Sequence, residues 1–233
     1  MKKLNEMRIE KRLTSSFRIT TMITSVAAIA AILVLLIISS RYTYALRYFG
    51  FAQGDIGQAI ILFTDGRGDT RAIVGYDDQS VISNLVSQFD EDKEGFTSKW
   101  KEVEAVLVTD ETKSTYQTIN DKLQDYWALN EEIIELGKTV SDKASRQQAQ
   151  SKALNELAPA YEEIDSLMNE LLNEKTSRGE SLDNTLNITT YILVVAAVIV
   201  LVISFNISVR FGRFIARGIA EPVTALQKRL VAF

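Results

Sequence analysis

Residues 19–39 read ITTMITSVAAIAAILVLLIIS, and residues 188–209 read ITTYILVVAAVIVLVISFNISV. Neither stretch contains a charged residue, and each has about 20 residues, the length that a helix needs to cross roughly 30 Å of hydrocarbon. The first stretch is longer than the apolar core of a cleaved signal peptide, about 7–15 residues, and no A-x-A-like cleavage pattern follows it. We therefore predict two transmembrane helices, at residues 19–40 and 188–209.

Lysine and arginine residues precede the first stretch and follow the second. Six of them, against two glutamates, precede residue 19, and three arginines follow closely after residue 209. Because positively charged flanks stay on the cytoplasmic side, we predict a cell-membrane protein with two spans and with residues 1–18 and 210–233 in the cytoplasm. The segment between the spans, residues 41–187, then lies outside. It contains 15 basic and 27 acidic residues, a net charge of −12.

The composition limits the chemistry that this chain can perform. The sequence has no cysteine and no histidine, so the outer segment must fold without disulfides. Serine and cysteine nucleophiles that depend on histidine are excluded, as are imidazole metal ligands. We predict a protein that is not an enzyme, with no catalytic residues, no metal, no cofactor and no nucleic-acid partner.

Apolar residues recur at helical spacing in four parts of the outer segment. Steps of three and four residues place such side chains along one face of a helix. We predict an all-α fold, a membrane-anchored antiparallel four-helix bundle at residues 41–187 whose first and last helices are continuous with the two transmembrane helices. The four stripes are Ile56, Ile60 and Phe63; Ile82, Leu85, Phe89, Phe96, Trp100, Val103 and Leu107; Tyr116, Ile119, Leu123, Tyr126, Asn130, Ile133, Gly137 and Val140; and Leu154, Leu157, Tyr161, Ile164, Met168 and Leu171.

Polar and glycine residues mark the predicted helix ends. Residues 75–78 end the first helix, Asp110 is expected to cap the third, and Ser141 or Asp142 is expected to cap the fourth. Residues 90–95 interrupt the second stripe, where we predict a kink or a solvated turn. Short connections of this kind make neighbouring helices antiparallel.

Arg67 and Arg71 are the first candidates for a ligand-binding site. They lie four residues apart on the predicted first helix, so both guanidinium groups point the same way. Planar guanidinium donors suit a carboxylate. The alternative is ordinary ion pairing of these arginines with Asp65, Asp69 or another acidic neighbour.

Asn130 and Tyr161 complete the predicted ligand-binding set. In antiparallel register, the arginine pair lies level with residues 130–134 of the third helix and 155–161 of the fourth. Asn130 occupies a stripe position where an apolar residue is expected, so it either reaches a ligand or sets the register of the core. Tyr161 is either a ligand contact or a core aromatic. Pro159 is expected to kink the fourth helix at this level.

The segment after the second apolar stretch resembles the first helix of a HAMP domain. Its signature consists of Ile219, the pair Glu221 and Pro222, and Leu226 four residues on. Proline disturbs a straight helix and suits a hinge. The resemblance implies that residues 210–233 begin a HAMP domain in which Glu221 and Pro222 take part in signal relay.

With the predicted bundle, the whole chain resembles a methyl-accepting chemotaxis receptor of the four-helix-bundle sensor type, and the stretch at 110–137 resembles the third helix of that sensor. The resemblance implies a homodimer that binds an extracellular small molecule near the far end of the bundle, partly between subunits. The arginine pair favours a carboxylate-bearing ligand. Binding would shift the fourth helix and its membrane helix along their axis, and a region beyond residue 233 would pass the signal to a cytoplasmic kinase and adaptor.

Two alternatives share this input architecture. The first is the sensor half of a histidine kinase or nucleotide cyclase, which would differ from a chemoreceptor only beyond residue 233. The second is a dimerising membrane stalk that binds no ligand and would tolerate loss of both Arg67 and Arg71.

Overall fold

The computed structural model describes residues 9–231, and the regular elements in this range are all helical. The predicted all-α class is confirmed. We number the α-helices in chain order and name the two π-helical turns by their residues. The elements are α1 (Ile9–Ala45), the π turn Leu46–Gly50, α2 (Phe51–Gly75), α3 (Gln79–Glu104), α4 (Asp110–Gly137), α5 (Lys143–Lys152), the π turn Ala153–Leu157, and α6 (Ala158–Val231).

The chain divides into two compact units. Thr43–Asn184 forms the four-helix bundle, and the described residues on either side of it form the second unit. Within the bundle, the first helix consists of residues 43–75, and the fourth consists of residues 143–184. Since α1 and α6 each run through both units without a non-helical break, the first and last bundle helices continue into the apolar stretches, as predicted.

The apolar stretches form two membrane spans. Only 6% of the first hydrophobic window and none of the second is buried within the protein, although both helices are long and apolar enough to cross a bilayer. A core helix of a soluble protein would bury these side chains, whereas hydrocarbon accommodates them. Within this unit a hydrogen bond of 3.3 Å from Tyr42 Oη to Asn187 Oδ1 links the two helices just beyond the apolar stretches.

The predicted stripes form the core of the bundle. Ile119, Ile133 and Met168 are fully buried, and aromatic rings fill the centre, where Phe63 lies 4.8 Å from Tyr126 and 5.0 Å from Tyr161 between ring centroids. Burial of such side chains provides the main favourable free energy of folding. Leu154 was wrongly assigned to a stripe, because it is 69% exposed.

Contacts between neighbouring helices establish their antiparallel order. Asp55 of α2 pairs with Lys99 of α3 at 3.5 Å, whereas Gly66, further along α2, lies against the earlier Phe89 of α3. Residue numbers therefore rise along one helix as they fall along the other. Lys122 of α4 pairs likewise with the fourth helix, through Glu163 at 2.8 Å.

The helix ends agree with the sequence at two of the three predicted places. The first helix ends at Gly75, and Asp142 caps α5 by accepting a hydrogen bond from the Ser145 amide at 3.1 Å. The predicted cap at Asp110 is wrong, because Thr109 holds the extended N-cap conformation and accepts a hydrogen bond from the Thr112 amide. Asp110 is instead the first helical residue, where its charge suits the helix dipole.

The solvated turn predicted as one alternative at residues 90–95 is also wrong, since α3 is helical from Gln79 to Glu104. Packing explains the continuity. Gly95 approaches Leu62 of α2 closely, so that a side chain added at Gly95 would meet it at 3.4 Å, and Phe89 and Phe96 on either side of the segment are buried. Tertiary contacts thus outweigh the polar local composition.

Candidate ligand-binding site

A cleft of about 310 Å³ lies between the first and fourth helices of the bundle. The cleft lies where the first and fourth helices run side by side, so that the end of α2 is next to α5 and the second π turn. The walls combine two arginines with mainly apolar side chains, which is the composition typical of small-molecule sites. The lining residues are Arg67, Arg71, Val74, Gly75, Gln150, Ala153, Leu154, Leu157 and Ala158.

Arg67 is held in place by an aromatic stack. Its guanidinium carbon lies 3.9 Å from the centre of the Tyr161 ring, a cation–π geometry that favours the charged group. Tyr161 is itself fixed, because its ring stacks on Phe63 with an interplanar angle of 7° and its hydroxyl lies 3.0 Å from Thr64 Oγ1. The predicted candidates Arg67 and Tyr161 therefore lie in contact, with Tyr161 beneath the arginine.

Neither Arg67 nor Arg71 forms an ion pair with any carboxylate of the described residues 9–231. The ion pairs expected in the alternative interpretation, with Asp65 or Asp69, are not formed. Arg71 is exposed, so its donors are accessible from solvent. The cleft thus presents two cationic groups whose positive charge is available to an anion.

The π turn Ala153–Leu157 shapes the opposite wall. In this turn the Ala158 amide donates to the Ala153 carbonyl, five residues back, and Pro159 follows with no amide hydrogen to donate. The extra residue in the turn rotates Leu154 out of the core stripe and onto the rim of the cleft. Interruptions of this kind occur frequently at functional sites.

Asn130 lies elsewhere. It is fully buried; its Oδ1 accepts a hydrogen bond of 2.8 Å from Thr70 Oγ1 and its Nδ2 donates to the Tyr126 carbonyl at 2.8 Å. The bond from Thr70 ties α4 to α2, in line with the register-setting alternative. Asn130 is not among the residues that line the cleft.

Gln150 and Leu154 are cleft residues that the sequence did not indicate. Gln150 Nε2 donates to the Val74 carbonyl at 2.8 Å, which joins the two walls directly. Their position depends on the pairing of the first and fourth helices and on the π turn. The only local sequence feature that indicated an irregular fourth helix here was Pro159. Within the described part of the chain, no group of three or more carboxylates is placed to hold a metal ion.

Comparison with known protein families gives a match over most of the chain. A family described as a four helix bundle sensory module for signal transduction matches residues 6–190 of the chain. The chain belongs to this family. As a four-helix-bundle sensory module it has the architecture expected from the sequence, and the predicted resemblance to the sensor of methyl-accepting chemotaxis proteins is confirmed. The comparisons with curated proteins and with solved structures found no match.

The predicted relay residues Glu221 and Pro222 lie beyond residues 6–190, the range that the family matches. The backbone of α6 is helical through residues 221 and 222, and the side chains of Glu221 and Pro222 lie outside the described residues. The HAMP assignment of residues 210–233 remains a prediction from sequence.

Proposed function

We propose that this chain is the sensory and membrane part of a transmembrane chemoreceptor that acts by binding and signalling, without catalysis. In this proposal the bundle lies outside the cell, both termini are cytoplasmic, and two copies form a homodimer. A HAMP domain that includes Glu221 and Pro222 passes the signal to a cytoplasmic kinase and adaptor. The positively charged flanks of both spans support this orientation.

The observation that carries the proposal is the cleft with its two unpaired arginines. A ligand there would contact Arg67 and Arg71 on the first helix and Leu154 or Leu157 on the fourth. Since α6 runs without a break from Ala158 through the second apolar stretch to Val231, a displacement of the fourth helix at the cleft has a continuous helical route toward the HAMP-like segment.

The cleft composition favours a small ligand with one carboxylate and an apolar part. Guanidinium groups bind a carboxylate with charge-assisted hydrogen bonds, while the leucine and alanine side chains of the fourth helix suit an aliphatic or aromatic group. The net charge of −12 on residues 41–187 disfavours ligands with several negative charges, because repulsion acts over a Debye length of about 8 Å.

A chimaeric receptor tests this function. Residues 1–233 would be joined in frame to the cytoplasmic half of a characterised chemoreceptor and expressed in a motile bacterium that has no receptors of its own. We expect one or more carboxylates, from a set of amino acids and organic acids, to change swimming behaviour, and we expect Arg67→Ala with Arg71→Ala to abolish that response.

Arg47→Ala is the matched control, because it removes an exposed arginine of the same bundle helix far from the cleft. A response lost equally in the control would contradict the proposed site. A chimaera that is inserted and folded but responds to no compound would favour the ligand-free stalk.

A further inference from the structure

Asp69 is a buried carboxylate on α2 that the ligand cleft does not use. It is 7% exposed and lies between Gly66 and Ile73, both of which are buried. Ile73 belongs to an apolar cluster between α2, α3 and α4. An ionised carboxylate in such surroundings is strongly disfavoured unless it is paired or hydrogen-bonded.

Asp92 of α3 faces Asp69 across the interface between the two helices. The two carboxyl groups lie within hydrogen-bonding reach of each other. Asp69 Oδ2 and Asp92 Oδ2 are both buried, and neither has a hydrogen-bond partner among the described residues. Two ionised carboxylates can only accept hydrogen bonds, so the missing component of this contact is a proton.

The neighbouring charges on α2 and α3 act in the same direction. Asp65 on α2 repels both members of the pair, and Glu91 on α3 repels Asp92. Within the described residues, neither Arg67 nor Arg71 forms an ion pair with Asp69.

In the described part of the chain, no lysine or arginine of the other two helices pairs with Asp69 or Asp92. Glu131 of α4 pairs with Lys93 of α3, next to Asp92, and that lysine lies 5.8 Å from the centre of the Trp127 ring. The fourth helix meets α2 here through Tyr161, whose ring lies beneath Arg67.

We propose that Asp69 and Asp92 form a proton-binding pair that makes the packing of α2 against α3 depend on the pH around the bundle. A proton from the medium bonds to one carboxylate, which then donates a hydrogen bond to the other, still ionised, carboxylate. When that proton returns to water, two negative charges face each other in an apolar interface. The device goes beyond ligand binding in the cleft and does not depend on it.

The direction of the pH effect follows from linkage. Burial, then Asp92, raises the pKa of Asp69 to about 6, and burial raises the pKa of Asp92 as well. Because the folded-state pKa lies above the unfolded value of about 3.9, the added stability is fully present below about pH 4 and is lost as the pH rises through about 6.

The test measures the unfolding temperature of the full chain in lipid nanodiscs as a function of pH. Between about pH 7.5 and about pH 5 we expect the wild type to gain about 3–5 °C. Asp69→Asn, which has nearly the same shape and stays neutral, is expected to lose most of that gain. The matched control is Asp90→Asn, which removes an exposed charge from α3 near the pair and is expected to retain the wild-type gain.

Infrared spectra supply a second readout that a purely structural role would not affect. We expect the wild type to have a protonated carboxyl band that titrates near pH 6, above the range of exposed acids near pH 4, and we expect Asp69→Asn and Asp92→Asn to lack it. A pH gain of equal size in Asp69→Asn and Asp90→Asn would overturn the proposal, as would absence of the band from the wild type. Arg67→Ala should retain both signals, so failure of the ligand site is separable from failure of the pair.

Discussion

Each end of the four-helix bundle contains a buried cation, and the two cations differ in the number and strength of their hydrogen bonds. At the hairpin end, which contains the connections at residues 76–78 and 138–142, Arg146 is 6% exposed. At the stem end, which contains the connection at residues 105–109, Lys175 is completely buried. No buried carboxylate of the described residues pairs with either cation.

Arg146 donates hydrogen bonds to carbonyls at the ends of two helices. The carbonyls in the last turn of a helix have no partner within it, and cations are favoured there by the helix dipole. Asp77, an exposed residue, adds a contact of 3.5 Å. The guanidinium donates to four carbonyls of α2, α4 and the turn between α2 and α3: Ile73 at 3.4 Å, Val74 at 3.2 Å, Tyr76 at 2.6 Å and Gly137 at 2.7 Å.

Lys175 has fewer partners. Its ammonium donates to the Val106 carbonyl at 2.7 Å and, with a longer bond of 3.4 Å, to the Tyr48 carbonyl in the first π turn. The Phe49 ring centre lies 5.3 Å from the ammonium nitrogen. Burial lowers the pKa of Lys175, because the charge lost its water and gained only weak replacements.

The hairpin end is therefore held by more hydrogen bonds than the stem end. Arg146 fixes the carbonyls at Val74 and Tyr76, and Gln150 on the opposite wall of the cleft also donates to the Val74 carbonyl. The hairpin end therefore holds the cleft in shape before a ligand arrives. We expect a ligand-induced movement of the fourth helix to be accommodated at the stem end, where Lys175 holds the first π turn by one long bond.

Loss of the arginine should produce the largest effect. Arg146→Met leaves several buried carbonyls without a donor, and we expect it to reduce the free energy of unfolding by about 3 kcal/mol. Thermal and denaturant unfolding of the full chain in nanodiscs would measure this loss. Lys143→Met, an exposed cation on the same helix, is the control and should change stability by no more than about 0.5 kcal/mol. Equal effects of the two variants would remove the distinction between the ends.

A pair of glycines tests the same comparison through packing. A side chain at Gly137 would approach Val74 Cγ1 to 2.8 Å, so we expect Gly137→Ala at the hairpin end to cost about 1–3 kcal/mol. At the stem end, Gly179→Ala would meet Gln53 Nε2 at 3.1 Å, the end of a flexible side chain. We expect this variant to gain up to about 0.5–1 kcal/mol from helix propensity. Unfolding temperatures that fall equally in both variants would show that the stem end is packed as tightly as the hairpin end.

Replacement of the lysine should have the smallest effect. Lys175→Met removes two hydrogen bonds but also a buried charge, so we expect a change within about 1 kcal/mol near neutral pH. The pH dependence is the sharper readout. Since the folded-state pKa is depressed, the wild type loses stability as the pH falls through that pKa, and the difference between wild type and Lys175→Met should grow in favour of the wild type as the pH is raised toward about 10. A difference that does not change over this range would contradict the assignment of a costly buried charge.

The sequence predicted the four helices because their stripes are local patterns. Tyr116, Ile119 and Leu123 on α4, like Ile164 and Met168 on the fourth helix, are buried as their spacing required. Periodicity alone could not place the π turns, which depend on how a backbone accommodates an extra residue. Leu154 was therefore assigned to the core when it lies on the rim of the cleft, and Val140 was assigned to a stripe although α4 ends at Gly137.

The site was predictable only in part. The spacing of Arg67 and Arg71 indicated a shared face, and the structure brings both to one cleft. Gln150 lines that cleft through the pairing of the first and fourth helices, which lie far apart in sequence. Asp69 and Asp92 meet only because of the register between α2 and α3, since their local sequences resemble ordinary solvated helix faces.

We expect the two arginines of the cleft to bind an anion, and matched ligand pairs test this most directly. The unfolding temperature of the full chain in nanodiscs would be measured with amino acids and organic acids, each compared with its neutral amide. A ligand at about 100 times its dissociation constant stabilises the folded state by about 2.7 kcal/mol. We predict that at least one acid raises the unfolding temperature, that its amide does not, and that Arg67→Ala or Arg71→Ala abolishes the rise. An acid and its amide that stabilise the chain equally, with no effect of either arginine substitution, would contradict the claim.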